Sequence, residues 1–317
     1  MEILSIIPAR SGSKGVAHKN IREVAGKPLL AYPIEHALGS KLITRVIVST
    51  DSEEYMEIAR RYGAETPFKR PLEFAEDDSL DIDVFYHALT WLRDNEGYMP
   101  DICVQLRPCG PVRDILLIDR IIQRLIDNPQ WDSVRTVSRG SENPYKMWHF
   151  SDDGTLSPLM RDIPECYNML RQQLPATFYQ NGYVDAFRPR AVLEQRSMTG
   201  KTIGGFLVDE YFDIDYPEDI ALVEACLAIR TSERSFLIDT ELKNHEIVNK
   251  LRRAGHTVYI GGAGAGRATQ TGGAGAGRAT QTGGAGAGQA TQADYHISAK
   301  SIGIRELERI LSNEHDG

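Results

Sequence analysis

Short β-branched segments alternate with amphipathic helical segments through the first 137 residues, and this alternation constrains the fold more than any other feature. The predicted strands are Ile3–Pro8, Arg45–Asp51, Asp101–Leu106 and Ser133–Val137. The predicted helices are Pro28–Leu38, where Pro33 kinks the helix or delays its start, Glu53–Tyr62, Asp81–Asp94 and Ile115–Ile126. Strands that alternate with helices indicate an α/β fold with a mostly parallel sheet, in which ligands bind at the carboxyl ends of the strands.

A loop with two glycines and two cations follows the first predicted strand. Gly12 and Gly15 permit close approach of the backbone, and Arg10 and Lys14 add positive charge. The backbone N–H groups of such a loop can bind a phosphate, although the spacing matches neither a Walker loop nor a dinucleotide fingerprint. A polar turn with solvated cations is the alternative. The ends of three strands, Pro8–Gly15, Ser49–Asp51 and Arg107–Arg113, are expected to face one cleft.

Two carboxylates occur near residue 214, in a segment predicted to be a strand. Asp213 and Asp215 are two residues apart, so on a strand they would point to the same side. A pair of carboxylates beside a phosphate loop suits Mg²⁺, which prefers one or two carboxylates together with phosphate oxygens and water. The alternative is a pair of solvated acids that cap the helix predicted from about Pro217 to Ile229.

Composition excludes several classes of protein. The net charge of −8 argues against a general nucleic-acid binder, and the four cysteines are not paired as CxxC, so neither a zinc site nor a disulfide framework is indicated. No apolar run approaches the roughly 20 residues that span a bilayer. The first residues do not form a secretory signal, so a cytoplasmic location is expected.

The pattern changes between about residues 139 and 190, where prolines are frequent and strand signals are weak. This segment is predicted to be an insertion beside the sheet. Regular structure is expected to return at Gly182–Phe187.

Several short motifs occur together in the order and approximate spacing of a known family. They are Ala9-Arg10-x-x-Ser13-Lys14-Gly15 with Lys19-Asn20, Ser49-Thr50-Asp51, Arg70-Pro71, Pro108-x-x-Pro111-x-Arg113, Arg171 to Pro175, Asn181-Gly182 and Asp213-x-Asp215. Over about residues 1–229 the chain resembles the acylneuraminate cytidylyltransferases, also called CMP-sialic acid synthetases. The resemblance implies a Rossmann-like nucleotidyltransferase fold. It also implies that the anomeric hydroxyl of a 2-keto acid sugar attacks the α-phosphorus of CTP, which yields the CMP-sugar and pyrophosphate in an Mg²⁺-dependent reaction.

The resemblance also implies roles for individual residues. The nucleotide would be bound by Arg10, Ser13, Lys14, Gly15, Asn20, Arg70 and Asp77. The residues implied in catalysis are Arg10, Lys14, Asp213 and Asp215, the last two as Mg²⁺ ligands. The sugar would be contacted by Arg113, Arg171, Gln172 and Asn181, and either arginine could bind the sugar carboxylate as a bidentate fork. No side chain is identified as the base, and metal-bound water or hydroxide could deprotonate the sugar hydroxyl.

The chain departs from the family pattern at two places. The segment that usually reads Gln/Leu-Pro-Thr-Ser-Pro-Leu/Phe-Arg is Arg107-Pro108-Cys109-Gly110-Pro111-Val112-Arg113, which removes two hydroxyls and leaves the sugar undetermined. Asp81 stands where some relatives have serine near the nucleotide, so it adds negative charge there and is a doubtful contact. Residues 139–178 correspond to the part that mediates dimerisation in relatives, so a homodimer is expected, in which Arg171 could serve the partner's site.

The chain changes character after residue 230. Residues 261–292 are three copies of an eleven-residue Gly/Ala-rich unit, the third without its final threonine. They contain no large apolar residue, which predicts a flexible linker. The flanks, 230–260 and 293–317, resemble pieces of a haloacid-dehalogenase-like phosphatase, with a β-α-β unit expected over Ser235–Ile260. The motif positions read Asp239-Thr240-Glu241 and Ser298-Ala299-Lys300, and they lack acids of the usual pattern. A remnant without phosphatase activity is the resulting hypothesis.

Two other functions stay open at this point. The first is a nucleotidyltransferase of the same fold that uses another nucleotide or a sugar 1-phosphate. The second is a scaffold that binds a nucleotide or a partner without turnover.

Overall fold

A computed structural model describes residues 1–13, 16–140, 142–208 and 212–229, together with four short strands of the C-terminal part. The chain divides into two compact units. The first comprises Met1–Gly12, Leu30–Pro108 and Arg113–Tyr211, and the second comprises Ser13–Leu29, Cys109–Val112 and Phe212–Gly317.

The strands and helices are numbered along the chain. The strands are β1 Ile3–Pro8, β2 Glu23–Val24, β3 Lys27–Pro28, β4 Arg45–Ser49, β5 Ile102–Gln105, β6 Ser133–Arg139, β7 Trp148–Phe150, β8 Leu156–Pro158, β9 Phe178–Phe187, β10 Ile203–Leu207, β11 Ser235–Ile238, β12 Thr257–Ile260, β13 Thr269–Gln270 and β14 Tyr295–Ile297. The α-helices are α1 Ala31–Gly39, α2 Glu53–Arg61, α3 Asp81–Glu96, α4 Ile115–Ile126, α5 Pro189–Leu193 and α6 Asp219–Ile229.

The first unit contains a six-stranded sheet with the order β10-β6-β9-β5-β1-β4. Strand β1 is parallel to β4 and β5, and β10 is parallel to β6. Strand β9 is antiparallel to both of its neighbours, β5 and β6. The predicted α/β fold with a mostly parallel sheet is therefore confirmed.

The core of this unit forms where apolar residues of α3 pack on the sheet. Helix α3 buries Val84, Phe85, Ala88, Leu89 and Leu92, which is the apolar side predicted from the helical spacing. These residues form one cluster with side chains of β1, β4, β5 and β9. Successive residues of β1 from Ile3 to Ile7 are all buried, so both faces of the sheet are covered, as is usual for parallel strands.

Helix boundaries follow local signals. Helix α1 begins at Ala31, so Pro33 lies in its first turn, where a missing N–H does little harm. Ser52 and Asp114 cap the N-termini of α2 and α4 by accepting main-chain N–H groups. Gly63 follows α2 with a φ of 95°, a conformation that favours glycine.

The segment between β6 and β9 contributes no strand to the six-stranded sheet within the described residues. It contains the β7–β8 hairpin and three 3₁₀ turns around a small cluster of Tyr145, Cys166 and Leu174. Strand β9 begins at Phe178, four residues before the predicted return of regular structure.

The second unit contains the β2–β3 hairpin, α6 and a four-stranded sheet with the order β13-β12-β11-β14. Strand β11 is parallel to β12 and β14, which agrees with the predicted strands of a β-α-β unit. The helix expected between them, the helix expected near the C-terminus and most of the Gly/Ala repeats lie outside the described residues. Thr269 and Gln270 of the first repeat pair with β12.

The four cysteines, all within the described residues, form no disulfide, and Cys103, Cys166 and Cys226 are buried. No helix in the described part of the chain is long and apolar enough to cross a membrane.

Candidate active site

The parallel register places the carboxyl ends of β1, β4 and β5 on one edge of the sheet. Two of the predicted loops are joined there by hydrogen bonds. The backbone N–H of Ser11 donates to Asp51 Oδ1 at 2.9 Å, and Ser11 Oγ donates to Asp51 Oδ2 at 2.6 Å. This pair closes the loop that follows β1 onto the end of β4.

Arg10 lies on the loop after β1 and contacts a second predicted nucleotide-binding residue. Its Nη2 is 3.3 Å from Asp77 Oδ1, and its Nη1 donates to the carbonyl oxygen of Glu76. The two side chains are 31% and 48% exposed, so an anion from solvent can reach this ion pair. Ser13 is partly buried and belongs to the second unit, whereas Lys14 and Gly15 lie outside the described residues.

Arg70 is buried, with 4% of the residue exposed. Its Nε donates to Ser49 Oγ at 3.1 Å, its Nη2 donates to the Ser49 carbonyl, and its Nη1 donates to the Phe74 carbonyl at 3.3 Å. Burial lowers the pKa of Arg70 to about 10, partly offset by the carboxylates of Asp51 and Asp81. The guanidinium therefore ties the end of β4 to the turn at residues 72–74.

Arg113 and Asn181 form hydrogen bonds with main-chain groups and with a serine hydroxyl of the protein. Arg113 Nε donates to the Tyr183 carbonyl and its Nη2 donates to the Arg107 carbonyl, both at 2.7 Å. Asn181 Nδ2 donates to Ser138 Oγ at 2.7 Å, and its Oδ1 accepts the backbone N–H of Tyr183 at 3.0 Å. These contacts order the loop after β5 and the middle of β9.

A β-bulge interrupts the pairing of β6 with β9, because Arg135 pairs with Asp185 whereas Val137 pairs with Gln180. Gly182 lies in this bulge with a φ of 70°, and a Cβ there would be 3.0 Å from Arg107 Nη1. Glycine therefore serves both the backbone conformation and the close approach of Arg107.

Arg107 connects two carboxylates that sequence reasoning did not join. Its Nη2 donates to Asp81 Oδ2 at 3.0 Å, and its Nη1 donates to Asp185 Oδ2 at 2.7 Å. Asp185 also forms an ion pair with Arg135. Burial alone would lower the pKa of Arg107, but the carboxylates of Asp185 and Asp81 raise it well above its usual value. The sequence indicates that residues 81 and 107 both depart from the family pattern. It does not indicate that they contact each other, because they are 26 positions apart.

Arg171 and Gln172 lie in a 3₁₀ turn of the insertion between β6 and β9. The side chain of Arg171 is 60% exposed and forms an ion pair with Glu142 at 2.9 Å. Gln172 is exposed as well. Both side chains are thus open to a ligand or to another protein.

In the second unit, Lys19 holds the segment that carries the two predicted metal ligands. Lys19 Nζ donates to the Ile214 carbonyl and lies 3.3 Å from Asp215 Oδ1. The backbone N–H of Ile214 donates to the Cys109 carbonyl at 2.9 Å. Asn20, the next residue of the same 3₁₀ turn, is 7% exposed.

Asp213 and Asp215 do not lie on a strand, so the prediction of a strand there is wrong. The hydrogen bond from Ile214 to Cys109 does not belong to a strand ladder in the described part of the chain. Burial nevertheless alternates, because Phe212 and Ile214 are buried while Asp213 is partly exposed and Asp215 is exposed. Helix α6 begins two residues after Pro217, and Asp219 Oδ2 accepts the N–H groups of residues 215 and 216.

The donor chemistry of this segment fits Mg²⁺, since two carboxylates two residues apart are the number that this ion usually takes from a protein. Within the described residues no group of three or more His, Cys, Asp and Glu side chains forms a self-sufficient metal cluster. Such an ion would therefore need further oxygen ligands from water or substrate.

The chain is similar in sequence to several known proteins. A family model described as cytidylyltransferase matches residues 4–146. CMP-N,N'-diacetyllegionaminic acid synthase of Campylobacter jejuni is 33% identical over 233 residues, which cover 72% of this chain and 96% of that protein. N-acylneuraminate cytidylyltransferase of Escherichia coli is 30% identical over 251 residues, which cover 79% of this chain and 57% of that protein.

The fold is also that of a known structure. A CMP:2-keto-3-deoxy-manno-octonic acid synthetase complexed with CTP matches with a TM-score of 0.55 and 18% identity, over 73% of this chain and all of that chain. The predicted Rossmann-like nucleotidyltransferase fold is therefore confirmed. The chain belongs to the cytidylyltransferase family, as its resemblance to the acylneuraminate cytidylyltransferases predicts.

Proposed function

We propose that this protein transfers the cytidylyl group of CTP to the anomeric hydroxyl of a nonulosonic acid and releases pyrophosphate. The observation that carries the proposal is the family match over residues 4–146, which includes β1, β4, β5 and the loops at their carboxyl ends. In this reaction the P–O bond to pyrophosphate breaks as the sugar oxygen bonds to the α-phosphorus. Catalysis of such a step consists mainly of positioning and charge neutralisation.

Arg10 and Lys14 are proposed to bind the triphosphate. Arg10 is paired with Asp77 through an exposed contact, so a phosphate can replace that carboxylate as the partner of the guanidinium. Ser13 and Gly15 belong to the same loop, and Asn20 and Asp77 are assigned to nucleotide binding. Arg70 is proposed to shape the base pocket by holding the end of β4, because its three hydrogen bonds are to protein groups.

Asp213 and Asp215 are proposed to hold Mg²⁺, and Lys19 keeps the segment that carries them in place. A bound Mg²⁺ would neutralise charge on the phosphate oxygens. The sugar carboxylate is assigned to Arg171, whose guanidinium is exposed, with Gln172 beside it. Arg113 and Asn181 are proposed to order the sugar side of the site through their bonds to main-chain and hydroxyl groups.

A homodimer is proposed on the basis of an exposed apolar surface in the segment between β6 and β9 and at the start of β9. Its members are Met147, Trp148, Phe150, Leu156, Leu159, Leu170, Phe178 and Tyr179, of which Phe150 is 77% exposed. Clusters of large exposed apolar side chains usually mark an interaction surface. A cytoplasmic location is proposed as well, since the reaction consumes CTP.

Pyrophosphate release tests the function. The full chain is incubated with CTP, GTP, UTP or ATP and with several nonulosonic acids or a sugar 1-phosphate. We expect release with CTP and a nonulosonic acid. Pyrophosphate release only with another nucleotide or with a sugar 1-phosphate would assign a different reaction of the same fold. No pyrophosphate release with any combination of substrates would favour a scaffold that binds without turnover.

Asp213→Asn tests the metal ligand. We expect turnover to fall by roughly two orders of magnitude or more, with an unchanged unfolding midpoint, because removing charge from a metal ligand weakens the neutralisation of phosphate charge. Glu218→Gln, an exposed carboxylate close by, is the matched control and should retain turnover. Near-normal turnover of Asp213→Asn would remove Asp213 from the site.

Asp239 lies outside the described residues, so an assay must test the hypothesis that the C-terminal part is a phosphatase remnant without activity. The full chain should not hydrolyse p-nitrophenyl phosphate in the presence of Mg²⁺. Hydrolysis that Asp239→Asn abolishes would contradict the hypothesis.

A further inference from the structure

The two departures from the family pattern contact each other. By the resemblance stated above, Asp81 stands where some relatives have serine, and Arg107 stands where the usual residue is glutamine or leucine. The structure places Arg107 Nη2 3.0 Å from Asp81 Oδ2, although the residues are 26 positions apart. Asp81 is the first residue of α3, and Arg107 follows the end of β5 by two residues.

The guanidinium of Arg107 is anchored from its other side. Asp185 has no exposed side-chain surface, and its Oδ2 accepts from Arg107 Nη1 at 2.7 Å and also pairs with Arg135. Arg135 in turn donates to the Met198 carbonyl. Gln105 Nε2 donates to the same oxygen of Asp81 that Arg107 contacts, at 2.9 Å. Arg107 therefore has one fixed position, determined by a buried carboxylate.

The charges of this cluster balance. Asp81 and Asp185 are negative, and Arg107 and Arg135 are positive, so the cluster is neutral as a whole. Without Arg107, the carboxylate of Asp81 would lose its ion-pair partner at the N-terminus of α3, a few residues from Asp77. An uncompensated negative charge near a nucleotide site repels a triphosphate, and at distances of several ångströms this effect remains appreciable.

We propose that Arg107 and Asp81 are a coupled pair of positioning residues, in which Arg107 neutralises Asp81 and so makes an acidic residue compatible with CTP binding. The pair stands in place of an uncharged combination, and Asp81 is tolerated beside the nucleotide only together with Arg107. This inference rests on the proposed function in one respect, the identity of the nucleotide. It explains why the carboxylate at 81 and the cation at 107 occur together in this chain.

A guanidinium is required at position 107 for a geometric reason. Asp185 and Asp81 are contacted by two different nitrogens of one planar group. Lysine has a single nitrogen on a flexible stem and does not reproduce this fork.

A mutant cycle on the full chain tests the pair. The variants are Arg107→Gln, Asp81→Ser and the double variant, and the readout is the Kd for CTP by calorimetry in the presence of Mg²⁺ without a sugar acceptor. We expect Arg107→Gln to weaken CTP binding about tenfold, as a unit of uncompensated charge near the site would. Asp81→Ser should change Kd less than about threefold, and the double variant should return to within about threefold of wild type.

Arg93→Gln is the matched control, because Arg93 forms an exposed ion pair with Asp94 on the same helix as Asp81. It should leave the Kd unchanged. Arg107→Lys should bind CTP more tightly than Arg107→Gln, since the positive charge is kept. Its urea midpoint should be lower than that of wild type, because lysine cannot contact both carboxylates as the guanidinium does.

A double variant that binds CTP no better than Arg107→Gln would overturn the proposal, and so would an Arg107→Gln variant with wild-type affinity. If Arg107→Gln does not fold, a folded double variant with near-wild-type Kd supports the coupling, whereas an unfolded double variant overturns it. The readout needs no turnover. Failure of the sugar reaction therefore affects the proposed function and leaves this test intact.

Discussion

Two buried carboxylates in the first unit, Asp185 and Asp132, are stabilised in different ways. Asp185 is bound by the side chains of Arg107 and Arg135. Asp132 accepts the main-chain N–H groups of Lys201 and Thr202 at 2.9 and 3.1 Å, and Arg190 forms an ion pair with it.

Asp132 is thus stabilised mainly by main-chain groups, whereas Asp185 is stabilised by other side chains. The partners of Asp132 are present whatever residues stand at 201 and 202, so this site depends on the path of the chain. The partners of Asp185 exist only because arginine stands at 107 and 135. Such a cluster of side chains can be exchanged as a set by substitutions, whereas the main-chain partners of Asp132 cannot.

Asp185→Asn should produce the largest loss of stability. Removing this charge leaves two arginines close together without their shared carboxylate, and breaking a buried ion pair in this way costs about 3–5 kcal/mol. Urea unfolding followed by circular dichroism measures the change. Asp94→Asn, whose carboxylate pairs with Arg93 at the surface, should have no resolved effect. Similar urea midpoints for Asp185→Asn and Asp94→Asn would mean that Asp185 contributes no more to stability than a surface carboxylate.

Asp132→Asn should cost about 2 kcal/mol, because hydrogen bonds to a charged group are worth about 1.5–3 kcal/mol and the amide can keep some of them. Burial alone would raise the pKa of Asp132, but hydrogen bonds from the Thr202 backbone, Arg190 and the Lys201 backbone lower it to about 2.

The sign of the pH dependence follows from this depressed pKa. The contribution of Asp132 is complete above the pKa of an unfolded aspartate, about 3.9, and is lost as the pH falls through about 2. The difference in unfolding free energy between wild type and Asp132→Asn should therefore decrease as the pH is lowered from about 3.9 to about 2. A difference that is constant from pH 5 to pH 2 would contradict the main-chain stabilisation of this carboxylate.

Gly182→Ala should cost about 1–2 kcal/mol, because the backbone has a φ of 70° and the added Cβ lies 3.0 Å from Arg107 Nη1. The same variant also tests the position of Arg107, since a shift of its guanidinium should weaken CTP binding. Gly97→Ala, at a φ of 65° with open space around the Cβ, is the control for backbone strain alone. An equal loss in both variants, with unchanged CTP affinity, would mean that the contact with Arg107 is unimportant.

Asp114→Ala should have the smallest effect, about 1 kcal/mol, as is usual for loss of an N-cap. Asp114 resembles Asp132 in accepting a main-chain N–H, in this case that of Leu116 at 2.8 Å, but water can replace it. The difference in urea midpoint between Asp114→Ala and Asp132→Asn measures what burial adds. A larger loss for Asp114→Ala than for Asp132→Asn would mean that burial adds nothing to such a contact.

Local features of the fold were predictable from the sequence. The five buried residues of α3 follow from helical spacing, and the bounds of β1 and α4 coincide with the predicted ones. The position of β9 between β5 and β6 was not predictable, because periodicity indicates that a strand exists and not which strands pair with it.

The candidate site shows a similar division. The loop after β1 was identified because glycines and cations directly follow a strand. Arg70 and Arg113 are both buried and donate to carbonyl oxygens of the protein, and a sequence does not tell a buried arginine from an exposed one. Asp213 and Asp215 alternate in burial with their neighbours as residues of a strand would, but a strand also needs a neighbour to pair with along its length.

The central position of β9 determines the order in which the chain can fold during synthesis. Strands β4, β1 and β5 are complete after residue 105, whereas β6 and β10 join them only through β9, which ends at Phe187. Until the ribosome has released that residue, β5 and β6 each keep an unpaired edge, and such edges promote aggregation. Strand β9 thus joins two parts of the sheet that are made before it, and a nascent chain that stalls before residue 178 is expected to need a chaperone.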